Sequence, residues 1–321
     1  MELADLRIVY AANPAIAVPT LAALHASCTV VGVLCNPDRP AGRGKHPVSP
    51  AVKDAALALG LPVIQSEHLL SEQRRQIAAL HPDVLVSFAC GFYFGPKFLA
   101  LFARGALNIH PSLLPMYRGC SPIQFALLEG CPRTGITVQR IAAEVDCGNV
   151  LAVEPITLDG TETSLSLTDE VAKRSGPLIV SVLDALVHER LQETVQDPDA
   201  VTMTRMLSKQ DGIIDWTKSA KAIHSHVRAM AGWPKATTTY QGEPLVVSAV
   251  SGSLGEAGTD PVPAGVQPGT VLALVKDKGL AVACGDGILY VQRLQPAMKR
   301  DMDSASFVNG HPAVIGCVLG R

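Results

Sequence analysis

With 321 residues the chain exceeds the usual reach of one hydrophobic core, so one larger and one smaller domain are expected. An apolar share of 48% against 17% charged residues, with 27 Gly and 23 Pro, excludes a disordered or fibrous chain. The net charge of −2 excludes a globally basic nucleic-acid binder. Residues 1–204 carry 15 Lys+Arg against 20 Asp+Glu (−5) and residues 205–321 carry 12 against 9 (+3), so the C-terminal part is the more tolerant of phosphate.

The N-terminus, with Glu2 and Asp5, enters an apolar run at once, so neither a signal peptide nor an Arg-rich presequence is expected. Leu6–Ala11 is the first predicted strand, followed by a helix over Val18–His25, a strand over Val30–Cys35, and helices over Pro50–Leu59 and Ser71–Leu80. Strands over Val84–Phe88 and Ala106–Ile109 come next, then a helix over Pro122–Glu129, an apolar strand over Ile136–Ile141 and a helix over Ser164–Leu186. This alternation implies an α/β domain with a Rossmann-like parallel sheet, whose chemistry collects in the loops at the carboxyl ends of its strands. The loop Ala11–Ala17 lacks the glycines that admit a dinucleotide pyrophosphate, and no Gly-x-x-x-x-Gly-Lys-Ser/Thr loop occurs, so nicotinamide chemistry and nucleotide hydrolysis are disfavoured.

From about Gln192 to Met206 the sequence turns polar and irregular, with Asp197-Pro198-Asp199, which marks a linker over 191–206 between domains 1–190 and 207–321. Beyond it come a helix over Ser219–Met230 and five short strands, Thr237–Tyr240, Leu245–Val250, Gly269–Val275, Leu280–Ala283 and Ile288–Leu294. With the Gly/Pro/Ser-rich loop Ser251–Gln267 among them, they predict a small β-barrel of the OB type. The eight cysteines form no Cys-x-x-Cys pair and no zinc-type spacing with histidine; they read as reduced packing residues, and no metal is expected. No apolar stretch reaches the roughly 18–20 residues that span a bilayer. The default is a cytoplasmic enzyme, bacterial or organellar, without membrane contact and acting as a monomer.

The densest polar constellation is Asn108-Ile109-His110-Pro111-Ser112-Leu113-Leu114-Pro115, at the end of the fourth strand. Asn108 and His110 are two apart, so their side chains leave one face. An amide beside an imidazole can stabilise an oxyanion while the imidazole exchanges protons; a strand-end cap beside a satisfied core histidine has the same spelling. Glu144-Val145-Asp146-Cys147-Gly148-Asn149 is an acidic turn whose Asp146 either orients His110 or bonds its own backbone.

Asn108–Pro115, extended by Tyr117-Arg118-Gly119 and Ser121-Pro122-Ile123-Gln124, together with Thr134-Gly135-Ile136-Thr137 and Asp146-Cys147-Gly148, resembles the signature of the folate-dependent formyltransferases. The resemblance places that family's catalytic Asn, His and Asp on Asn108, His110 and Asp146. It implies 10-formyltetrahydrofolate as formyl donor, with folate contacts from Phe88, Ala89, Cys90 and Gly91, from Ser112, Leu113, Leu114 and Pro115, and from Ala142 and Val145. It also implies an imidazole whose proton affinity Asp146 raises. Pro37-Asp38-Arg39-Pro40-Ala41-Gly42-Arg43-Gly44-Lys45 is similar to the basic loop of the tRNA-directed branch, which implies initiator methionyl-tRNA as acceptor and Arg39, Arg43 and Lys45 as its contacts. Three cations among glycines make a strip suited to phosphates. Ile214-Asp215-Trp216 and Gly232-Trp233-Pro234 resemble the tRNA-binding C-terminal domain of the same branch. Family members acting on a sugar nucleotide or another small amine are expected to lack the Pro37–Lys45 loop. The chain departs from the family at Ala12-Asn13-Pro14 (usually Gly-Thr-Pro), at Cys90 (usually Tyr), at Met116 (usually Arg) and at Asn149 (usually Asp).

Overall fold

The computed structural model describes residues 1–41 and 46–320. The chain gathers into two compact units, one of Met1–Gly119, Gly135–Ile156 and Thr168–Met203, the other of Cys120–Thr134, Thr157–Leu167 and Thr204–Arg321.

The first unit is built on a seven-stranded sheet in the order Val150–Thr157, Arg133–Arg140, Ala106–His110, Val84–Phe88, Arg7–Ala12, Thr29–Cys35, Val63–Gln65. The five strands from Ala106–His110 to Val63–Gln65 pair in parallel. Val84–Phe88 is buried along its whole length, as a strand covered on both faces must be, and its sequence Val-Leu-Val-Ser-Phe is accordingly almost continuously apolar. Two strands were not expected from the sequence. Val63–Gln65 is too short to show a period, and Val150–Thr157 lies at the sheet edge, half-exposed, with Glu154 and Pro155 breaking its apolar pattern. The sheet is also mixed rather than purely parallel: Arg133–Arg140 runs antiparallel to Ala106–His110, opposing Asn108 to Gln139 and His110 to Thr137.

On one face the helix Val18–Ser27 meets the long helix Ser164–Val187 at Gly176, where a Cβ would stand 2.8 Å from the Cβ of Ala23. Elsewhere Phe94 stacks on Phe98, which meets Phe102 at a tilt (centroids 5.4 and 5.5 Å apart), and the three share a core with Ile77 and Leu85.

The second unit carries the helices Pro122–Leu128 and Ala220–Ala229, which pack together, the latter capped by Ser219 Oγ accepting from Ala222 N at 3.2 Å. Its antiparallel sheet runs in the order Thr237–Tyr240, Glu243–Val250, Ile288–Pro296, Gly279–Ala283, Val271–Val275, with Met302–Asp303 on Ile288–Pro296. The five expected strands are present, in the arrangement of a small barrel. A further helix, Ser304–Gly310, starts from Asp303, whose carboxylate accepts from Ser306 N. Among the described residues no helix is long and apolar enough to cross a membrane.

Candidate active site

Parallel pairing sets Ala12 beside Phe88 and Phe88 beside Ile109, so the loops after three strands leave the sheet side by side at its carboxyl end. The strand's period of two puts Asn108 and His110 on one face, and the turn after Arg133–Arg140 brings Asp146 to both. Asn108 Nδ2 donates to Asp146 Oδ1 at 3.3 Å, and His110 Nδ1 stands 3.5 Å from Asp146 Oδ2. The three side chains named from the sequence therefore converge.

Asp146 is the hub. Besides Asn108, its Oδ1 accepts from Gln139 Nε2 at 2.9 Å, and its Oδ2 accepts from the main-chain N of Gly119 at 2.9 Å. Its backbone is left-handed, φ +53°, a conformation that costs a non-glycine residue of order 1 kcal/mol and must be held by its surroundings. Gln196 supplies part of that hold, with Nε2 donating to the carbonyls of Asp146 (2.9 Å) and Gly148 (2.7 Å) while its Oε1 accepts from Arg118 Nε (3.1 Å) and Nη2 (2.8 Å).

His110 is buried, 4% exposed, and its Nε2 pairs with the Tyr117 carbonyl at 2.8 Å; a carbonyl only accepts, so this nitrogen carries a proton and Nδ1 is left facing Asp146. Burial pushes the proton affinity of the imidazole below its ordinary value, although Asp146 and the Tyr117 carbonyl act the other way. The expected effect of the carboxylate is present, but desolvation outweighs it, and the resting imidazole is neutral.

The segments assigned to folate lie around this centre. Phe88 is fully buried, Ala89 (φ +48°) and Gly91 (φ +73°) turn the chain, and Cys90 is buried, with Sγ 3.1 Å from Ser87 Oγ. Burial raises the Cys90 thiol above its usual range, which fits a packing residue. Ser112 is wholly committed to shaping its loop: its Oγ donates to Met116 O (2.6 Å) and its carbonyl accepts from Thr137 Oγ1 (2.7 Å), which in turn accepts from Leu114 N (3.1 Å). Leu113 and Pro115 are half-buried, Ala142 is half-buried, and Val145 is 65% exposed. Among the described residues, the main-chain N–H groups of Ala89, Gly91, Ala142 and Val145 find no protein acceptor and are left as donors. Donors of that kind are compatible with the polar edge of a pterin.

The departure at Asn13 has a structural role. Its Nδ2 donates to the Cys90 carbonyl and its Oδ1 accepts from Asn36 N at 2.7 Å, tying three strand-end loops together. Asn149 donates to Glu193 Oε2 at 3.0 Å, and Met116 is exposed. Of the cationic strip, Arg39 is exposed and meets Glu67 at 3.4 Å, in a short ribbon of Arg39–Ala41 against His46–Val48; Arg43 and Lys45 lie outside the described residues.

Gln139 and Gln196 were not found by sequence reasoning, and Tyr117 and Gly119 stood in the family signature without an assigned role. The one signal available for Gln139 was a lone amide in the apolar run Ile136–Ile141; Gln196 stood in a stretch that reads as linker.

Comparison with known proteins follows the same lines. Residues 11–183 match the formyl transferase family and residues 206–312 the formyl transferase C-terminal domain. A methionyl-tRNA formyltransferase of Roseiflexus castenholzii is 42% identical over 309 residues, covering 95% of this chain and 96% of its own, and one of Methylococcus capsulatus is 38% identical, covering 98% and 100%. Among solved structures, HypX from Aquifex aeolicus in complex with tetrahydrofolic acid aligns with TM-score 0.62 at 16% identity, over 97% of this chain and 48% of that longer one. An N-formyltransferase from Helicobacter canadensis, in complex with folinic acid and dTDP-3-aminofucose, aligns with TM-score 0.63 at 14% identity over 92% and 100%. At such identities the structures speak to the fold, whereas the sequence matches run nearly end to end: the chain belongs to the folate-dependent formyltransferase family, among the methionyl-tRNA formyltransferases.

Proposed function

We propose that the protein transfers the formyl group of 10-formyltetrahydrofolate to the amino group of methionine esterified to initiator tRNA, acting as a cytoplasmic monomer. The observation that carries this reading is the convergence of Asn108, His110 and Asp146 at the carboxyl end of the sheet, in a chain of this family. The donor brings a formyl carbon already activated as an amide, so positioning and charge stabilisation are what the protein must add.

Asn108 Nδ2, held among the described residues by a long bond to Asp146, is the donor that turns to the formyl oxygen as negative charge develops there. His110 Nδ1 is the nitrogen left to accept a proton, because Nε2 is committed to Tyr117. Through water, it takes the proton that the methionyl amine sheds as the new carbon–nitrogen bond forms, and returns it to the departing nitrogen of the donor as the old bond breaks. Asp146 Oδ2, 3.5 Å away, stabilises the imidazolium of that interval. Phe88, Ala89, Cys90 and Gly91, Ser112, Leu113, Leu114 and Pro115, and Ala142 and Val145 seat the folate. Arg39, Arg43 and Lys45 contact the tRNA. Residues 1–190 carry the chemistry, and residues 207–321, joined by 191–206, add contacts to the tRNA backbone.

The test is formation of formylmethionine from 10-formyltetrahydrofolate and charged initiator tRNA, with charged elongator tRNA as control. Removing one pre-positioned oxyanion donor costs on the order of 10²–10³ in rate, so Asn108→Ala is expected to be slow while folate still binds. Wild-type turnover by that variant at saturating substrates would end the assignment.

A further inference from the structure

We infer that Gln139 is a positioning residue of the formyl transfer, holding Asp146 Oδ1 so that the Asn108 amide stays free for the reacting carbonyl. The inference rests on the reading of Asn108 as the oxyanion donor.

Two amides compete for one carboxylate oxygen. Asp146 Oδ1 accepts from Gln139 Nε2 at 2.9 Å, a full hydrogen bond, and from Asn108 Nδ2 at 3.3 Å, a marginal one. The antiparallel register places Gln139 directly across from Asn108, and Gln139 is 1% exposed, so no water stands in for it. The Asp146 side chain is 11% exposed, so a carboxylate oxygen left short of protein donors there is costly, and without Gln139 the donor already beside Oδ1 is Asn108. Drawn onto Asp146, that amide would no longer face the formyl oxygen.

A relay also fixes which way the Gln139 amide points. Gln196 Oε1 takes two donors from Arg118, so its nitrogen must face the other way, toward Gln139 Oε1 at 3.3 Å and the carbonyls of Asp146 and Gly148. Gln196 Nε2 spends its two hydrogens chiefly on those carbonyls and faces Gln139 Oε1 only at a marginal distance, so the Gln139 nitrogen is the end turned to Asp146. Arg118, Gln196 and Gln139 thus pass one orientation along to the carboxylate, and a methionine in place of Gln139 would fill the same space without supplying the donor.

The experiment compares Gln139→Met, Asn108→Ala and the double variant by steady-state formylation, with thermal unfolding as the control for folding. A hydrogen bond to a charged carboxylate is stronger than a neutral one, so Gln139→Met is expected to lower kcat about 10-fold or more and leave the KM for the folate donor unchanged. In the Asn108→Ala background, where there is no amide left to divert, the added cost should fall below about twofold, the non-additivity of two residues acting through one group. Wild-type kcat in Gln139→Met, or a cost that is the same with and without Asn108, overturns the inference while leaving Asn108 as the oxyanion donor. Wild-type turnover by Asn108→Ala removes the parent reading and this inference together. Should Gln139→Met fail to fold, Gln196→Met, which releases the Gln139 amide to flip, is measured in the same cycle and judged by the same outcomes.

Discussion

At the scale of single residues the site turns on a contest at His110. Burial disfavours the imidazolium, while Asp146 and the Tyr117 carbonyl favour it, and burial is the larger effect. On the proposed mechanism, a neutral imidazole at rest is what the proton acceptor needs, and the carboxylate beside it would lower the cost of the charge that develops during turnover. Proton titration of labelled His110 by NMR is expected to give a midpoint below 6.5, and one lower still in Asp146→Asn, because the variant removes a contribution that raises the affinity. A midpoint unchanged or higher in Asp146→Asn would show that the two groups do not act on each other. The pairing of Asn108 with His110 was legible in the sequence because a strand's period of two is a local rule. Gln139 was not, because its place opposite Asn108 depends on an antiparallel register between segments some thirty residues apart, which no local pattern encodes.

At the scale of elements, the acidic turn and the helix Ala220–Ala229 each carry a prediction. The turn closes so tightly that a Cβ on Gly148 would stand 1.8 Å from the Arg140 carbonyl oxygen, and Arg140 N also donates to Asn149 O at 2.9 Å. Gly148→Ala must therefore push apart the segment that places Asp146. Overpacking of this kind costs about 1–3 kcal/mol, so the variant is expected to melt several degrees lower and to lose at least tenfold in kcat; an unchanged kcat would show that the turn tolerates the shift. In the helix, burial pushes His224 down to about 4, with the Gly252 carbonyl and Glu256 opposing and Arg228 adding to the effect. The unfolded chain, with histidine near 6.5, binds the proton more readily than the folded one, so stability rises with pH across that interval. Urea midpoints are expected to fall as pH drops from 6.5 toward 4, and less so in His224→Gln; equal acid sensitivity in both proteins would assign the loss to other groups. The helices and buried strands were readable from periodicity and composition. The edge strand Val150–Thr157 was not, since half-exposed edges carry charge and proline for reasons of solubility rather than packing. Nor was Gln196, because a polar, irregular stretch looks the same whether it is free chain or is drawn into a hydrogen-bond network.

At the scale of the whole molecule, the charge is spread so that no strong overall field draws in a polyanion: −2 in total, with +3 on residues 205–321. Affinity for tRNA must then rest on a few local cations, and each phosphate neutralised releases counterions, so log affinity falls with log salt by roughly 0.7–0.9 per contact. Three contacts, if Arg39, Arg43 and Lys45 make them as proposed, imply a loss of about tenfold or more between 50 and 200 mM salt, with folate affinity nearly flat over the same range. Arg39 offers the sharpest test, because among the described residues its one ion pair is the exposed one with Glu67 at 3.4 Å, with side chains 66% and 58% exposed. Exposed pairs of that kind contribute about 0–1 kcal/mol, so Arg39→Ala should leave the melting temperature almost unchanged. If the side chain meets a phosphate, the same substitution weakens tRNA binding and reduces the salt slope by about one, measured by filter binding across a salt series. An Arg39→Ala protein whose slope matches the wild type would remove Arg39 from the tRNA contacts, and leave the acceptor to be held by Arg43, Lys45 and the residues beyond 207.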